Sequence, residues 1–254
     1  MTPTIAVTGS TGAVGGAVAT LLADSGTSLR LLVRDVGRAP TIPTSAVAQC
    51  SYGDLDASME ALRGVDVLFM VSGAESATRL DEHRTFVDAA AAAGVQHVVY
   101  TSFFGAAPDA TFTLARDHFH TEQHIAASGM DHTFLRDNFY ADVMERAAGE
   151  DGVIRGPAGD GRVSLVARAD VARVAAVVLT DPASHAGGSY DLTGPEALSM
   201  AEVAAAIAEV RGRAVTFHDE TLDEAYASRA RWNVPDWQND AWVSTYTAIA
   251  SGEL

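Results

Sequence analysis

Short runs of apolar and β-branched residues alternate along the first half of the chain with longer, alanine-rich stretches. Residues 65–71 are apolar almost without interruption, which is typical of a strand covered on both faces of a parallel sheet. The pattern predicts strands at residues 4–8, 28–33, 46–50, 66–71, 97–101 and 132–135, and helices at residues 12–25, 59–63, 79–93, 115–128 and 138–148. This alternation indicates βαβ units and a doubly wound parallel sheet of the α/β class.

The pattern changes after about residue 150, where glycines and a proline separate short extended pieces. The later elements predicted are helices at residues 170–180, 200–210 and 236–250, the first two capped by Asp170 and Ser199, and strands at residues 189–192 and 214–218. We expect one domain over residues 1–150 and a smaller α/β lobe over residues 151–254, interleaved with the first and not independent. The last helix carries Trp237, Trp242 and Tyr246 at helical spacing, which indicates a packing face or a substrate lid.

The numbers of acidic and basic residues limit the partners and the enzyme classes that this sequence allows. Of 254 residues, 33 are acidic and 17 basic, which gives a formal net charge of −16 at pH 7. So acidic a surface repels polyanions, and we expect no nucleic-acid partner. Every basic residue other than histidine is arginine, because the sequence contains no lysine. This excludes a Walker-A phosphate loop, a Schiff-base enzyme and the Tyr-x-x-x-Lys pair of ordinary short-chain dehydrogenases.

The cellular context follows from what the sequence lacks. The first basic residue is Arg30, so the charged start of a signal peptide is not predicted. No apolar run approaches the ~18 residues that span a bilayer, and Cys50 is the single cysteine. We therefore expect a cytoplasmic protein with no membrane partner, and the sequence leaves a homodimer open.

The strongest motif is a glycine-rich turn between the first strand and the first helix. It reads Thr8-Gly9-Ser10-Thr11-Gly12-Ala13-Val14-Gly15. In this context Gly9 permits the tight turn, Gly12 lets the backbone approach a pyrophosphate, and Gly15 allows close helix–strand packing. The helix N-terminus would hold the phosphates without a cationic side chain. We expect a Rossmann-like NAD(P)-binding domain, with residues 9–15 at the cofactor.

The Gly-x-x-Gly-x-x-Gly spacing resembles the NmrA-like branch of the atypical short-chain dehydrogenase/reductase family. Further matching segments are Gly53-Asp54-Leu55, Leu62-x-Gly64-Val65-Asp66, Val71-Ser72-Gly73, His118-Phe119-His120-Thr121-Glu122, Thr133-Phe134-Leu135-Arg136-Asp137-Asn138-Phe139-Tyr140 and Ser189-Tyr190-Asp191-Leu192-Thr193-Gly194-Pro195. The likeness covers nearly the whole chain and is densest over residues 4–140. The segments that begin at His118 and Thr133 are similar to those of that branch's bacterial quinone and triphenylmethane-dye reductases. The resemblance implies that Asp54, with Leu55 beside it, contacts the adenine.

The choice of cofactor depends on the residues after the second strand. An arginine there suits the phosphate of NADP, and an acid suits the ribose of NAD. The sequence offers both, as Arg34 and Asp35, with Arg38 as a second cation. The resemblance favours NADP read by Arg34, and NAD read by Asp35 stays the alternative.

The sequence gives only a weak indication of the catalytic residue, because the cofactor carries most of the chemistry of hydride transfer. His118 stands where ketone- and alkene-reducing relatives have lysine, and the quinone-reductase-like members resemble this chain in having histidine. It would protonate the acceptor or position the nicotinamide ribose; an exposed helical histidine is the alternative. His120 and His124 are four residues apart without the His-Glu-x-x-His order, so no metal site is predicted.

Ligands of open α/β sheets bind beyond the carboxyl ends of the strands. By that rule Ser72, Gly73 and Thr101 would lie beside the nicotinamide. The acceptor would contact Phe103, Phe104, Asn138 and Tyr140, whose rings and amide suit a flat aromatic molecule.

These residues favour an NADPH-dependent oxidoreductase that transfers hydride to a quinone or quinone-like aromatic acceptor. Two other functions fit the same fold. One is a non-catalytic NAD(P)H-sensing regulator of the NmrA-like type, which binds cofactor and a protein partner. The other is a reductase of a biosynthetic intermediate.

Overall fold

The computed structural model describes residues 4–254, within which a seven-stranded sheet forms the largest sheet. Its strands are β1 (Ile5–Thr8), β2 (Leu29–Val33), β3 (Ser45–Gln49), β4 (Val67–Met70), β5 (His97–Phe103), β6 (Asp131–Asp137) and β9 (Gly188–Leu192). They lie in the order β3-β2-β1-β4-β5-β6-β9. The pairs β3–β2, β2–β1, β1–β4 and β4–β5 are parallel, so the doubly wound α/β prediction is confirmed.

The helices are α1 (Ala13–Asp24), α2 (Leu55–Leu62), α3 (Arg79–Ala93), α4 (Thr113–Ala127), α5 (Ala141–Met144), α6 (Arg168–Thr180), α7 (Met200–Arg211), α8 (Leu222–Arg229) and α9 (Asp236–Ser251). Helix α3 and the Ser199 cap of α7 match the prediction. Three helical predictions were wrong in detail. Helix α2 begins at Leu55 because Asp54 caps it, Asp170 lies inside α6, and α5 is a single turn followed by a 3₁₀ turn.

The chain forms two compact units. Unit 1 contains residues 4–102, Phe119–Arg136 and Arg168–Asp191, and unit 2 contains Phe103–His118, Asp137–Ala167 and Leu192–Leu254. The chain thus enters unit 2 first at Phe103, well before residue 150. The use of residues 151–254 as a substrate lobe stays a prediction.

Each unit has its own hydrophobic core. In unit 1, fully buried Leu68, Phe86 and Tyr100 belong to a cluster that joins the sheet to α3. In unit 2, the pairs β8 (Arg162–Val163) with β10 (Leu198–Ser199) and β7 (Val153–Gly156) with β11 (Thr216–Asp219) form two small sheets.

Tyr246 packs in unit 2, where its ring occupies the space that a side chain at Gly156 would need. Over residues 4–254, no helix combines the length and the apolar character that crossing a membrane requires.

Candidate functional site

The glycine loop of unit 1 is tightly packed. Gly9 has a φ of +62°, a left-handed conformation that favours glycine, and its carbonyl accepts a 2.8 Å hydrogen bond from the N–H of Gly12. A Cβ on Gly15 would lie 2.5 Å from the carbonyl oxygens of Thr8 and Gly9. The helix therefore sits so close to the strand that position 15 admits only glycine without movement of the backbone.

The start of α1 leaves polar groups without protein partners. Gly12 is the N-cap and offers no side chain, and the first turn holds no acidic residue. Thr11, Gly12 and Ala13 are exposed, whereas Ser10 is 2% exposed and its hydroxyl has no hydrogen-bond partner among residues 4–254. Val14 and Gly15 face the core. An uncapped helix N-terminus beside an unpartnered buried hydroxyl suits a phosphate group.

In the loop after β2, the arginine and the acid have different surroundings. The carboxylate of Asp35 accepts a 2.9 Å hydrogen bond from the N–H of Gly37 and caps a 3₁₀ turn (Val36–Arg38). Arg34 and Arg38 are exposed, and no acidic side chain within residues 4–254 pairs with either guanidinium. Asp35 thus has a structural role, and the two guanidinium groups remain available for an anion.

The expected adenine contacts lie at the start of α2. Asp54 is the exposed N-cap, and its carboxylate accepts a 3.0 Å hydrogen bond from the N–H of Ala57. Leu55 follows with 43% of its surface exposed, which is high for a leucine. An exposed apolar side chain beside a fixed carboxylate suits a flat base.

The loop after β4 is held by its neighbours. The N–H of Ser72 donates to Thr101 Oγ1 at 2.8 Å, and the N–H of Gly73 donates to His83 Nε2 at 2.8 Å. His83 Nδ1 lies 2.9 Å from Thr121 Oγ1. Because Nε2 accepts, Nδ1 must carry the proton of the neutral imidazole. Burial, with the charge of Arg79 adding to it, lowers the pKa of His83 to about 3, so the imidazole stays neutral.

Tyr52 joins this loop to the glycine loop. Its hydroxyl donates to the carbonyl of Val71 at 2.6 Å and lies 2.7 Å from Thr8 Oγ1. Burial raises the pKa of Tyr52 well above its ordinary value, so the hydroxyl acts as a neutral donor. The ring stacks on Phe86, 4.2 Å between centroids.

A partly buried ion pair lies at the ends of β5 and β6 in unit 1. Glu122 is 1% exposed and accepts hydrogen bonds from Arg136 Nε at 2.9 Å, from Arg136 NH2 at 2.6 Å and from Ser102 Oγ at 2.5 Å. Its hydrogen bond and charge raise the pKa of Arg136. Glu122 is therefore a structural carboxylate that links α4 to both strands.

His118 lies in unit 2 within a group of aromatic rings, here called the ring cluster: Phe103, Phe112, Phe139 and His118. The three phenylalanine rings lie 4.9–5.0 Å from one another by centroid, and the imidazole lies 6.0 Å from Phe103. His118 is only 6% exposed. The alternative of an exposed helical histidine is wrong, because α4 turns this position into the core of unit 2.

The other expected acceptor residues differ in their surroundings. Phe104 is half-buried and makes no ring contact among residues 4–254, while its N–H donates to the carbonyl of Asp137 at 2.9 Å. Asn138 is 1% exposed; its Oδ1 accepts from the N–H of Phe139 at 2.7 Å, and its Nδ2 has no partner among the described residues. The half-buried Tyr140 lies 2.7 Å from Asp137 Oδ2.

The expected residues thus divide into two sets by unit: those proposed for the cofactor lie in unit 1, and those proposed for the acceptor lie in unit 2. Sequence reasoning missed Tyr52, His83 and Phe112 as members of these sets. No motif marks Phe112. His83 falls on the polar pattern of an exposed helix, and only the buried hydrogen bond to Gly73 reveals it. Asp137 belongs to the segment of residues 133–140 that resembles the family, but the sequence alone indicates no role for it.

His120 and His124 form no metal centre with other ligands, since no group of three or more His, Cys, Asp or Glu in residues 4–254 has suitable geometry. His124 Nε2 instead lies 2.7 Å from Asp88 Oδ1.

Comparison with known proteins identifies a family and several proteins that this chain resembles. A model of the NmrA-like family matches residues 1–230. Quinone oxidoreductase 2 of Escherichia coli is 33% identical, over 98% of this chain and 89% of that protein. The (4-alkanoyl-5-oxo-2,5-dihydrofuran-3-yl)methyl phosphate reductase of Streptomyces griseus is 40% identical, over 87% of this chain and 78% of that one. The Citrobacter triphenylmethane reductase complexed with NADP(H) is 32% identical with a TM-score of 0.85, covering 98% of this chain and 90% of that chain.

Proposed function

The chain belongs to the NmrA-like family, and from that premise we propose that it is an NADPH-dependent oxidoreductase that transfers hydride to a quinone or quinone-like aromatic acceptor. The observation that carries the proposal is the start of α1, where the helix end has no side-chain cap and the Ser10 hydroxyl has no partner among the residues that the structure describes. The acceptor class is supported by the named relatives, which reduce small organic molecules.

The residues present fit NADPH. Residues 9–15 would hold the pyrophosphate through backbone N–H groups, and Arg34 would hold the phosphate that distinguishes NADPH from NADH. Asp54 and Leu55 would contact the adenine, and Ser72, Gly73 and Thr101 would flank the nicotinamide. NADPH, when bound, supplies the hydride. NAD is disfavoured because the Asp35 carboxylate is engaged by Gly37.

The acceptor would be held by the residues of unit 2. His118, Phe103, Phe104, Asn138 and Tyr140 offer rings, an amide and a hydroxyl to a flat molecule. His118 would position the reacting rings, since its imidazole is buried against Phe103. Orientation of this kind contributes strongly when the cofactor carries the chemistry.

A second candidate is the reduction of an unsaturated biosynthetic intermediate. It is favoured by the 40% identity to the Streptomyces griseus reductase, whose substrate is a phosphorylated unsaturated lactone. A regulator without turnover is disfavoured because these relatives are reductases. A cytoplasmic location and a homodimer remain predictions from the sequence.

The test is the loss of NADPH absorbance when the purified protein is mixed with benzoquinones, naphthoquinones, a triphenylmethane dye and an unsaturated lactone phosphate. Bound cofactor is measured in the same sample. Fast oxidation with quinones supports the leading proposal, and oxidation with the lactone alone supports the second. Tight NADPH binding without oxidation by any acceptor would contradict both.

A further inference from the structure

Asp137 is an unusual carboxyl group of unit 2. It lies at the end of β6 and is 2% exposed, and its Oδ1 has no hydrogen-bond partner among residues 4–254. A buried carboxylate oxygen without a donor is costly, whereas a neutral carboxyl group tolerates the same surroundings. The geometry therefore favours the protonated acid. Consistent with this, burial raises the pKa of Asp137 to about 7, although the hydrogen bond with Tyr140 acts in the opposite direction.

Tyr140 is the hydrogen-bond partner of this buried acid. Its hydroxyl oxygen lies 2.7 Å from Asp137 Oδ2, and its side chain is half-buried rather than buried. Among the described residues, Tyr140 is the one ionisable group that interacts with the Asp137 carboxyl. The pair thus places a buried, titratable carboxyl group beside the hydroxyl of a half-buried side chain.

The direction of this hydrogen bond depends on the protonation of Asp137. When Asp137 is ionised, Tyr140 must donate to the carboxylate and its proton is committed there. When Asp137 is protonated, its O–H donates to the Tyr140 oxygen, and the phenolic O–H then donates to an acceptor other than this carboxyl group. The protonated pair is therefore a proton donor, and the ionised pair is not.

We propose that Tyr140 donates the proton that accompanies hydride transfer and that Asp137 resupplies it. This inference rests on the proposed reductase function and holds for either acceptor class, because quinones and unsaturated lactones both take up one hydride and one proton. His118 then keeps a positioning role.

The step balances in atoms and electrons. The quinone receives a hydride, which is two electrons and one proton, and the cofactor is oxidised. A new O–H bond forms at the quinol oxygen as the Tyr140 O–H bond breaks, and the Tyr140 oxygen takes the proton from Asp137. Asp137 is left as a carboxylate and regains a proton from water through Tyr140 after the product leaves.

Two kinds of acceptor differ in whether their reduction consumes a proton. A triphenylmethane dye is a cation whose central carbon needs only hydride to become the neutral leuco form. A quinone needs hydride and a proton. Loss of the proton donor should therefore lower kcat for the quinone and spare kcat for the dye, whereas a general structural defect should lower both.

The experiment measures kcat and KM for a quinone and for malachite green from pH 5 to 9. In the unaltered protein, quinone kcat should fall as pH rises through the Asp137 pKa, while dye kcat should not. Tyr140→Phe should lower quinone kcat by about 100-fold, the ordinary scale of general acid catalysis, with NADPH affinity retained. Asp137→Asn should lower quinone kcat and abolish its alkaline fall.

Tyr226 and Asp240 provide a matched control in the same unit. The hydroxyl of Tyr226 donates to Asp240 Oδ1 at 2.9 Å, and both residues are exposed. Tyr226→Phe and Asp240→Asn should leave both activities and the pH profile unchanged. Thermal unfolding of every variant shows whether the fold is retained.

A readout without turnover tests the pair in cofactor-free protein. The infrared carbonyl band of a protonated carboxyl group should titrate near pH 7 and be absent in Asp137→Asn. It should titrate at higher pH in Tyr140→Phe, because the hydrogen bond from Tyr140 lowers the pKa of Asp137.

Three results would overturn the proposal: equal loss of quinone and dye turnover in both variants, unchanged quinone kcat in both, or a pH profile that only His118→Gln alters. If the dye is not turned over, the quinone pH profile and the infrared band decide. If the unaltered protein reduces no acceptor, the proposed function itself fails, and the proton donor fails with it.

Discussion

Arg34 is the residue proposed to select NADPH over NADH. Its guanidinium is exposed and pairs with no acid among residues 4–254, although the chain carries 33 acidic residues. A charge-assisted pair with a phosphate contributes roughly 1.5–3 kcal/mol. Arg34→Ala should therefore weaken NADPH binding by about 10-fold or more and leave NADH binding nearly unchanged.

Calorimetric titration of both dinucleotides measures this difference. Arg84→Ala is the matched control, because Arg84 lies on α3 and pairs with Asp81 at 3.2 Å. Equal weakening of both dinucleotides would mean that the 2′-phosphate is bound by other residues.

His118 is the residue expected to position the reacting rings. His118→Ala should lower kcat by about 10-fold or more with little change in NADPH affinity, because misplaced reactants lose the advantage of orientation. Stopped-flow oxidation of bound NADPH measures the effect, and His120→Ala, exposed on the same helix, is the control. Unchanged kcat would remove His118 from the mechanism.

Helix α1 is the element proposed to bind the cofactor through its N-terminus. A Cβ at Gly15 would lie 2.5 Å from the carbonyl oxygens of Thr8 and Gly9, so the helix would have to move away from β1. Gly15→Ala should destabilise the protein by about 1–3 kcal/mol and weaken NADPH binding. Urea unfolding and calorimetry measure the two effects. Thr20→Ala, on the exposed face of α1, should do neither, and a stable Gly15→Ala with unaltered affinity would contradict this packing argument.

The element after β6 shows where local pattern fails. Its sequence has helical character, yet α5 is a single turn. The backbone of the residues before α5 pairs with distant segments of unit 2. The N–H of Asn138 donates to the carbonyl of Leu192 at 3.0 Å, and Tyr140 forms an isolated β-bridge with Val166. These partners are 26 and more residues away, so no local pattern reports them.

At the scale of the whole molecule, buried His83 links folding to pH. Its pKa is about 3 in the folded protein and ~6.5 when unfolded, so the unfolded chain binds the extra proton first as pH falls. The free energy of unfolding should therefore fall between pH 6.5 and pH 3, by up to ~1.4 kcal/mol per pH unit from this group. Above pH 6.5 the group gives no pH dependence.

Denaturant unfolding between pH 7.5 and pH 4.5 measures this loss. His83→Gln keeps an acceptor for the N–H of Gly73 but does not titrate, so its free energy of unfolding should fall less towards acid pH. His120→Gln, at an exposed position, should follow the unaltered protein. Parallel curves for the unaltered protein and His83→Gln would show that His83 is not a buried neutral group.

The sequence by itself determined the α/β class, the glycine loop and the place of α1. These depend on local periodicity and on glycines such as Gly9 and Gly15, whose lack of a side chain is a local property. It also indicated Arg34 and His118 as candidate site residues, Arg34 through its spacing from the glycine loop and both through the family resemblance. Tertiary structure alone decided that His118 is buried, that His83 holds the loop at Gly73, and that one oxygen of Asp137 has no hydrogen-bond partner among residues 4–254. These properties depend on burial and on hydrogen bonds between segments that are distant in sequence, so a local sequence pattern does not predict them.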